Sequence, residues 1–303
     1  MSRVTTMRVG GLVVHALDGG TQRLDGGAMF GVVPKPLWER RIKADALNRI
    51  ALTMRCLLVE HDDGLVLIDN GVGNKESDKF IEIYGIENAG AGGRTAIEDA
   101  IAELGHRPAD IRTVINTHLH FDHAGGNTFI AADDPHSRVQ LAFPNARYVM
   151  HRREYEWAGT GNERTTASYL PNNFLPVLEA GKVQFLEGER DTVVPGIRTL
   201  VTPGHTPSHM SIMIENGGDV LLFPADTVPT AHHLPLPWIM GYDVEPIRTL
   251  ESKRAMYERG MAEGWQVVFE HDADTVGGRL EEGDRGVTLG ERLPAAPKTG
   301  ARG

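Results

Sequence analysis

The stretch from 117 to 126, Thr-His-Leu-His-Phe-Asp-His-Ala-Gly-Gly, sets three imidazoles and a carboxylate within six residues, immediately after the apolar run Thr113, Val114, Ile115. That run reads as a buried strand. His118 and His120 are two apart, so in extended chain they point the same way, while Asp122 and His123 fall in the turn that Gly125 and Gly126 help form. Four ligand-type side chains therefore converge on one small volume, which is a metal-site pattern. A fold that carries it must deliver a rigid strand to an open loop.

Later parts of the chain repeat this arrangement. Strand-like runs at 197–201 and 210–214 flank Thr-Pro-Gly-His-Thr-Pro-Ser-His at 202–209, a run at 220–223 leads into Pro-Ala-Asp-Thr, and one at 266–269 leads into Glu270, His271 and Asp272. His205, Asp226 and His271 each sit just past such a run. Upstream, 53–60 and 65–68 read as strands joined by a His-Asp-Asp-Gly hairpin signal, and the second ends in Asp69-Asn70-Gly71. Residues 7–17 read as a strand entering a turn at Asp18-Gly19-Gly20, and helical spacing marks 76–84, 95–104 and 246–262. Residues 26–38 mix Gly and Pro with Met29, Phe30 and Trp38 and read as an ordered loop with apolar anchors. The order of elements is that of an α/β sandwich with its ligands on loops at one edge of the sheet.

Composition narrows the function classes. The 31 basic residues against 41 acidic ones give a net charge of −10, which argues against a cationic nucleic-acid surface. The single cysteine, Cys56, lies in an apolar run and reads as a buried core thiol, with no intrachain disulfide available to it. No apolar segment reaches the length that spans a bilayer, and the expected setting is cytoplasmic. The expected partner is a small-molecule substrate, with no nucleic acid and no membrane; pairing into a homodimer is compatible with the sequence.

The segment at 118–123 resembles the HxHxDH signature of the metallo-β-lactamase-fold superfamily, and residues 50–275 are similar to that family station by station. The resemblance implies a four-layer αββα sandwich, a single catalytic domain over 1–283 with 20–50 as a loop-rich extension and 284–303 as a tail. It implies that His118, His120 and His205 hold one metal, that Asp122, His123 and His271 hold another, and that Asp226 lies between them. Asp69 and Gly71 match the family's Asp-x-Gly, whose carboxylate braces the metal loop. His209 competes with His205 for the ligand role, and the Gly-His-Thr context favours His205.

Five imidazoles and two carboxylates without a thiolate suit two divalent ions, Zn²⁺ first among them, with Mn²⁺, Fe²⁺ and Co²⁺ also at home in such a set. A pair of this kind brings a bridging water to hydroxide near neutral pH, an attacker able to open a lactone or cleave a related ester. Asp122 and Asp226 are the candidates for carrying a proton to the leaving group. The Pro-rich loop at 227–243 follows Asp226 directly, so His232, His233, Trp238 and Tyr242, with Phe30 from the N-terminal loop, are the candidate substrate contacts. Ligand spacing is similar to that of N-acyl homoserine lactonases and organophosphate-hydrolysing relatives. Those lactonases carry a Tyr three residues beyond the bridging Asp; this chain has Pro229 there, a departure that counts against strict homoserine-lactonase activity unless Tyr242 folds into the role. An iron-dependent persulfide dioxygenase, or phosphotriester or β-lactam hydrolysis on the same site, are the alternatives.

Overall fold

Residues 50–59 are apolar at nearly every position, a pattern a strand adopts when both of its faces are covered. The computed structural model, which describes residues 2–91, 95–131, 138–284 and 286–294, shows how that coverage arises. The strand Arg49–Glu60 turns Leu57 and Val59 toward a second sheet and Cys56 and Leu58 toward a layer of helices. Each such side chain, fully withdrawn from water, contributes about 1.5–3 kcal/mol.

Among the described residues the first half carries β1 (Val4–Val9), β2 (Leu12–Asp25), β3 (Arg49–Glu60), β4 (Leu65–Ile68), β5 (Ile111–Ile115), β6 (Thr128–Ile130), β7 (Val139–Leu141), β8 (Arg147–His151) and β9 (Val183–Leu186). All but β6 and β7, which pair with each other, form one sheet in sequence order. The second half carries β10 (Thr192–Val194), β11 (Ile197–Val201), β12 (Met210–Asn216), β13 (Asp219–Phe223), β14 (Gln266–Val268), β15 (Thr275–Gly283) and β16 (Gly286–Pro294), again one sheet in sequence order. Leu57, Ile68 and Ile115 from the first sheet meet Ile212, Ile214 and Val268 from the second, and this is the central core.

Helices close the outer faces. Between β2 and β3 lie α1 (Gly26–Phe30) and α2 (Lys35–Trp38); α3 (Asp78–Tyr84) and α4 (Ala96–Glu103) precede β5, α5 (Phe121–Ala124) follows it, α6 (Arg152–Thr160) and α7 (Leu175–Glu179) lie between β8 and β9, and α8 (Pro246–Glu263) precedes β14. Ile97, Ala100 and Ile101 of α4 pack with Ala158 of α6 and Val177 of α7 on the first sheet. Met256 and Tyr257 of α8 pack on Leu222, Val267 and Phe269 of the second. The result is a four-layer α/β/β/α sandwich. No helix among the described residues is long and apolar enough to cross a membrane.

Three sequence expectations are corrected. The strand expected over 7–17 is broken at Gly10-Gly11, whose first residue takes φ +54 and so forms the two-residue turn of a β1–β2 hairpin. The Asp18-Gly19-Gly20 signal is instead a bulge within β2, which runs on to Asp25. The expected loop-rich extension at 20–50 is therefore strand at its start, and 26–38 folds into two short helices, the first capped by Asp25 Oδ1 accepting from the Ala28 N–H. The expected tail at 284–303 begins as β16, paired antiparallel with β15 from Gly283–Gly286 to Thr275–Pro294, because main-chain pairing needs no apolar pattern. Residues 295–303 lie outside the described residues.

Candidate metal centre

All seven side chains singled out as metal ligands come to the same edge of the sandwich. His118 and His120 leave the end of β5, Asp122 and His123 sit in α5, His205 lies between β11 and β12, Asp226 follows β13 and His271 follows β14. Each is less than a tenth exposed. The donor atoms fall into two groups, His118, His120, His205 and Asp226 in one and Asp122, His123 and His271 in the other, with all atoms of a group within 4.8 Å of one another. Asp226 reaches both. Its Oδ2 lies 3.0 Å from His205 Nε2 and 4.0 Å from His118 Nε2, while its Oδ1 lies 3.0 Å from His271 Nε2.

The donor set fits divalent cations and fits little else. His205 Nε2 faces His120 Nδ1 at 3.0 Å and His271 Nε2 faces His123 Nε2 at 3.3 Å, pairs of nitrogens that can share at most one proton each. His118 Nε2 is buried without a hydrogen-bond partner. Burial and the neighbouring imidazoles hold His118 and His120 well below the usual histidine range. For His205 and His271 burial is outweighed by Asp226, which raises them to about 10 and about 9. Bound cations would replace those protons and let every imidazole serve as a neutral ligand.

Behind the ligands stands a row of acceptors. His205 Nδ1 donates to Asp243 Oδ1 at 2.9 Å, His271 Nδ1 to the Thr53 carbonyl at 2.7 Å, and His118 Nδ1 to the Thr117 hydroxyl at 3.1 Å, which presents each Nε2 to the centre. His123 Nδ1 lies 3.0 Å from both Asp69 Oδ2 and Glu270 Oε2. Asp69 also accepts from the Thr117 N–H and hydroxyl, and it adopts φ +53, an unfavourable backbone for a non-glycine residue that these bonds hold in place. Burial pushes the Glu270 carboxyl up to about 8, with His123 opposing.

Glu154 of α6 ties two ligand loops together. Its carboxylate accepts from the Leu119 N–H at 3.2 Å, between His118 and His120, from the Tyr169 hydroxyl at 2.9 Å, and from the hydroxyl of Thr206, next to His205, at 2.6 Å. The competing residue His209 is committed elsewhere: its Nε2 accepts from the Asp226 N–H at 3.2 Å and its Nδ1 faces the Thr202 and Thr227 hydroxyls. It therefore supports the Asp226 loop from behind. Asp272 and Asp274 do not brace His271; Asp272 caps its own turn by accepting from the Asp274 and Thr275 N–H groups.

Sequence reasoning missed Glu154, Asp243, Glu270 and Gln22, whose amide donates to Asp122 Oδ2. Glu270 alone carried a local signal, its place beside His271. The others are far from the ligands in sequence and are brought in by the sandwich.

His120, His205 and Asp226 of the first group and Asp122 and His271 of the second line the floor of a cavity of about 340 Å³, with His118 and His123 buried beneath. Met29, Phe121, Met240 and Val244 make an apolar wall, and Tyr84, Arg164, Ser168 and Tyr242 a polar rim. Of the five residues expected to contact substrate, Tyr242 lines this cavity and the other four do not. Phe30 is fully buried behind Met29, stacked on His233 (4.6 Å between ring centres) with Trp238 edge-on at 5.6 Å. His233 is consumed in bridging the Met29 carbonyl and the Thr230 hydroxyl, both at 2.8 Å. His232 faces a different cavity, with Arg41 and Asp274. Neighbours in sequence on a turning loop need not share a face.

Comparison with known proteins gives the chain's family. The family model of the Metallo-beta-lactamase superfamily matches residues 55–263. An N-acyl homoserine lactonase from Bacillus sp is 33% identical over 233 residues, 74% of this chain and 82% of the relative, and one from Bacillus cereus is 33% identical over 238 residues, 75% and 84%. A probable metal-dependent hydrolase from Staphylococcus aureus superposes with a TM-score of 0.83 at 31% identity, over 95% of this chain and 100% of that one. An N-acyl homoserine lactone hydrolase with the product N-hexanoyl-L-homoserine at its catalytic metal centre superposes with a TM-score of 0.64 at 25% identity, over 88% and 95%.

Proposed function

Because the chain belongs to the Metallo-beta-lactamase superfamily and is a metallo-hydrolase, we propose that it opens a lactone ring or cleaves a closely related ester. The observation that carries this reading is Asp226, whose two oxygens face the two ligand groups at the floor of a cavity with an apolar wall and a phenolic rim. His118, His120 and His205 would hold one divalent ion, Asp122, His123 and His271 the other, and Asp226 would touch both; the nitrogen and oxygen donors favour Zn²⁺. Such a pair supplies an activated water near neutral pH and polarises the carbonyl to be attacked.

The chain's own residues do the rest. Asp243 and the Thr53 carbonyl fix the rings of His205 and His271, so the donor geometry is set before substrate arrives. Gln22 holds Asp122 at the cavity floor, where it or Asp226 carries the attacking water's proton to the oxygen released when the ring C–O bond breaks. Tyr242 offers its hydroxyl to a substrate oxygen at the rim, and burial pushes that phenol up to about 12, so it acts as a donor at neutral pH. The apolar wall accepts a hydrocarbon chain. The lactonase relatives support a lactone as the ring, and the net charge of −10 supports a small molecule over a nucleic acid.

The test is a screen of γ-lactones, aryl esters, phosphotriesters and β-lactams with purified protein, metal content being measured on the same sample. Lactone or ester turnover that stops on chelation and returns with Zn²⁺ is the expected result. Turnover that survives in both His118→Ala and Asp226→Ala overturns the assignment, as does a single iron with oxygen consumption on a persulfide.

A further inference from the structure

Lys253 projects from α8 with its side chain fully buried. Four main-chain carbonyls of one short stretch, those of His233 (2.6 Å), Pro235 (2.9 Å), Trp238 (3.0 Å) and Leu236 (3.3 Å), lie within hydrogen-bond reach of its Nζ and share its three N–H groups. The ammonium is thus met by main-chain dipoles from a single loop. Pro235 and Pro237 lack an N–H, so this stretch has few donors of its own, the Trp238 N–H to the Pro235 carbonyl at 3.0 Å among them, and its other carbonyls turn to a donor from outside the loop. Lys253 is that donor. Burial pushes its pKa down to about 7, with the charge of Asp243 opposing.

The far end of the same loop is held from the other side. The Gly241 N–H donates to the Ala28 carbonyl at 2.7 Å, and Arg164 donates to the Gly241 and Asp243 carbonyls at 2.6 and 3.3 Å. Between these two anchors lie Met240, Gly241 and Tyr242, which line the cavity over the candidate metal centre. An ammonium shared among these carbonyls constrains the backbone, because releasing it strands the buried His233 carbonyl, at about 1–3 kcal/mol, and takes this donor from the part-buried carbonyls of Leu236 and Trp238.

We propose that Lys253 is a positioning residue for the cavity wall: its ammonium fixes the backbone at 233–238 and thereby sets Met240 and Tyr242 against the substrate. The kinetic part of this inference rests on the lactone or ester reading above, and the structural part does not.

The test compares the full-length, metal-loaded wild type with Lys253→Met, which keeps the stem and lacks the ammonium, and with Lys253→Ala with and without n-propylammonium, which restores the atoms removed. Amide exchange over 233–243, metal content, and kcat and KM on N-hexanoyl-homoserine lactone are measured. In Lys253→Met the expected result is exchange at 233–243 faster by about tenfold or more, KM raised about tenfold, kcat within about threefold, and metal content unchanged. In Lys253→Ala, n-propylammonium should restore protection and lower KM. Unchanged exchange in Lys253→Met overturns the clamp. Faster exchange with KM unchanged overturns the positioning role, and so does loss of metal together with kcat, which would mark general collapse. Should the wild type turn over neither this lactone nor any lactone or ester of the screen, the reading of its chemistry falls, while the exchange comparison still decides the clamp.

Discussion

On the metal side of the cavity the ligand rings are tied from behind, His205 to Asp243, His271 to the Thr53 carbonyl and His123 to Asp69 and Glu270. On the opposite side, the wall built from 26–31 and 233–243 is held by the stacking of Phe30 on His233, by main-chain bonds such as Gly241 to Ala28, and by Lys253. The first region is fixed side chain by side chain, so a change of a single atom disturbs a donor. The second is fixed largely through its main chain, which leaves residues such as Tyr242 free to be exchanged. Chemistry and selectivity are thereby secured by largely separate means, joined where Asp243, at the end of the wall, accepts from His205 Nδ1.

That contrast can be broken most severely at Asp226, which serves both ligand groups. Asp226→Ala should lower turnover by about a thousandfold or more and release metal, read by steady-state rates and elemental analysis; wild-type metal content would show that the two groups are independent of it. Glu154→Gln is the next largest. An amide in place of an acceptor-only carboxylate must point its NH₂ at one of three donors, so stability should fall by about 2–4 kcal/mol in urea and metal affinity by about tenfold in chelator competition. Unaltered affinity would mean that the ligand loops hold themselves.

On the wall side, burial pushes the His233 ring down to about 3, with its Met29 bond opposing, against an ordinary value of 6.5. As pH falls below 6.5 the unfolded chain takes up this proton first, so folding stability is lost progressively between pH 6.5 and 3, by about 2 kcal/mol at pH 5. His233→Gln should lose less stability than the wild type between pH 7.5 and pH 5 in denaturant titrations; parallel curves would show that this histidine does not titrate as its burial requires. Smallest of all, Tyr242→Phe should raise KM about threefold with kcat and melting temperature nearly unchanged, and a large fall in kcat would move Tyr242 from the wall into the chemistry.

The ligands were legible because their four stations are single residues or a short cluster placed just past apolar runs, and the 118–123 cluster is compact enough to read unaided. The two-sided burial of β3 was legible for a similar reason, its lack of alternation. Glu154 was not, because nothing in Arg-Arg-Glu-Tyr-Glu-Trp at 152–157 distinguishes an inward carboxylate from a solvated one; only the packing of α6 selects it. The loop at 227–243 suggested four contacts and brings one of those residues, Tyr242, to the cavity, since proximity in sequence to Asp226 says nothing about which way a proline-bent segment faces. β16 was hidden by its polar composition, as its pairing with β15 is a main-chain property.

The seven candidate ligands are divided between the two sheets, and His123 and His271, whose ring nitrogens meet at 3.3 Å, are 148 positions apart in the chain. In kinetic terms neither cluster can be complete until the second half has docked on the first, which is the slowest kind of contact for a polypeptide to make. A full donor set is therefore offered to a cation only by the docked fold. A chelator present during refolding should leave the rate of docking unaltered and postpone only the appearance of activity.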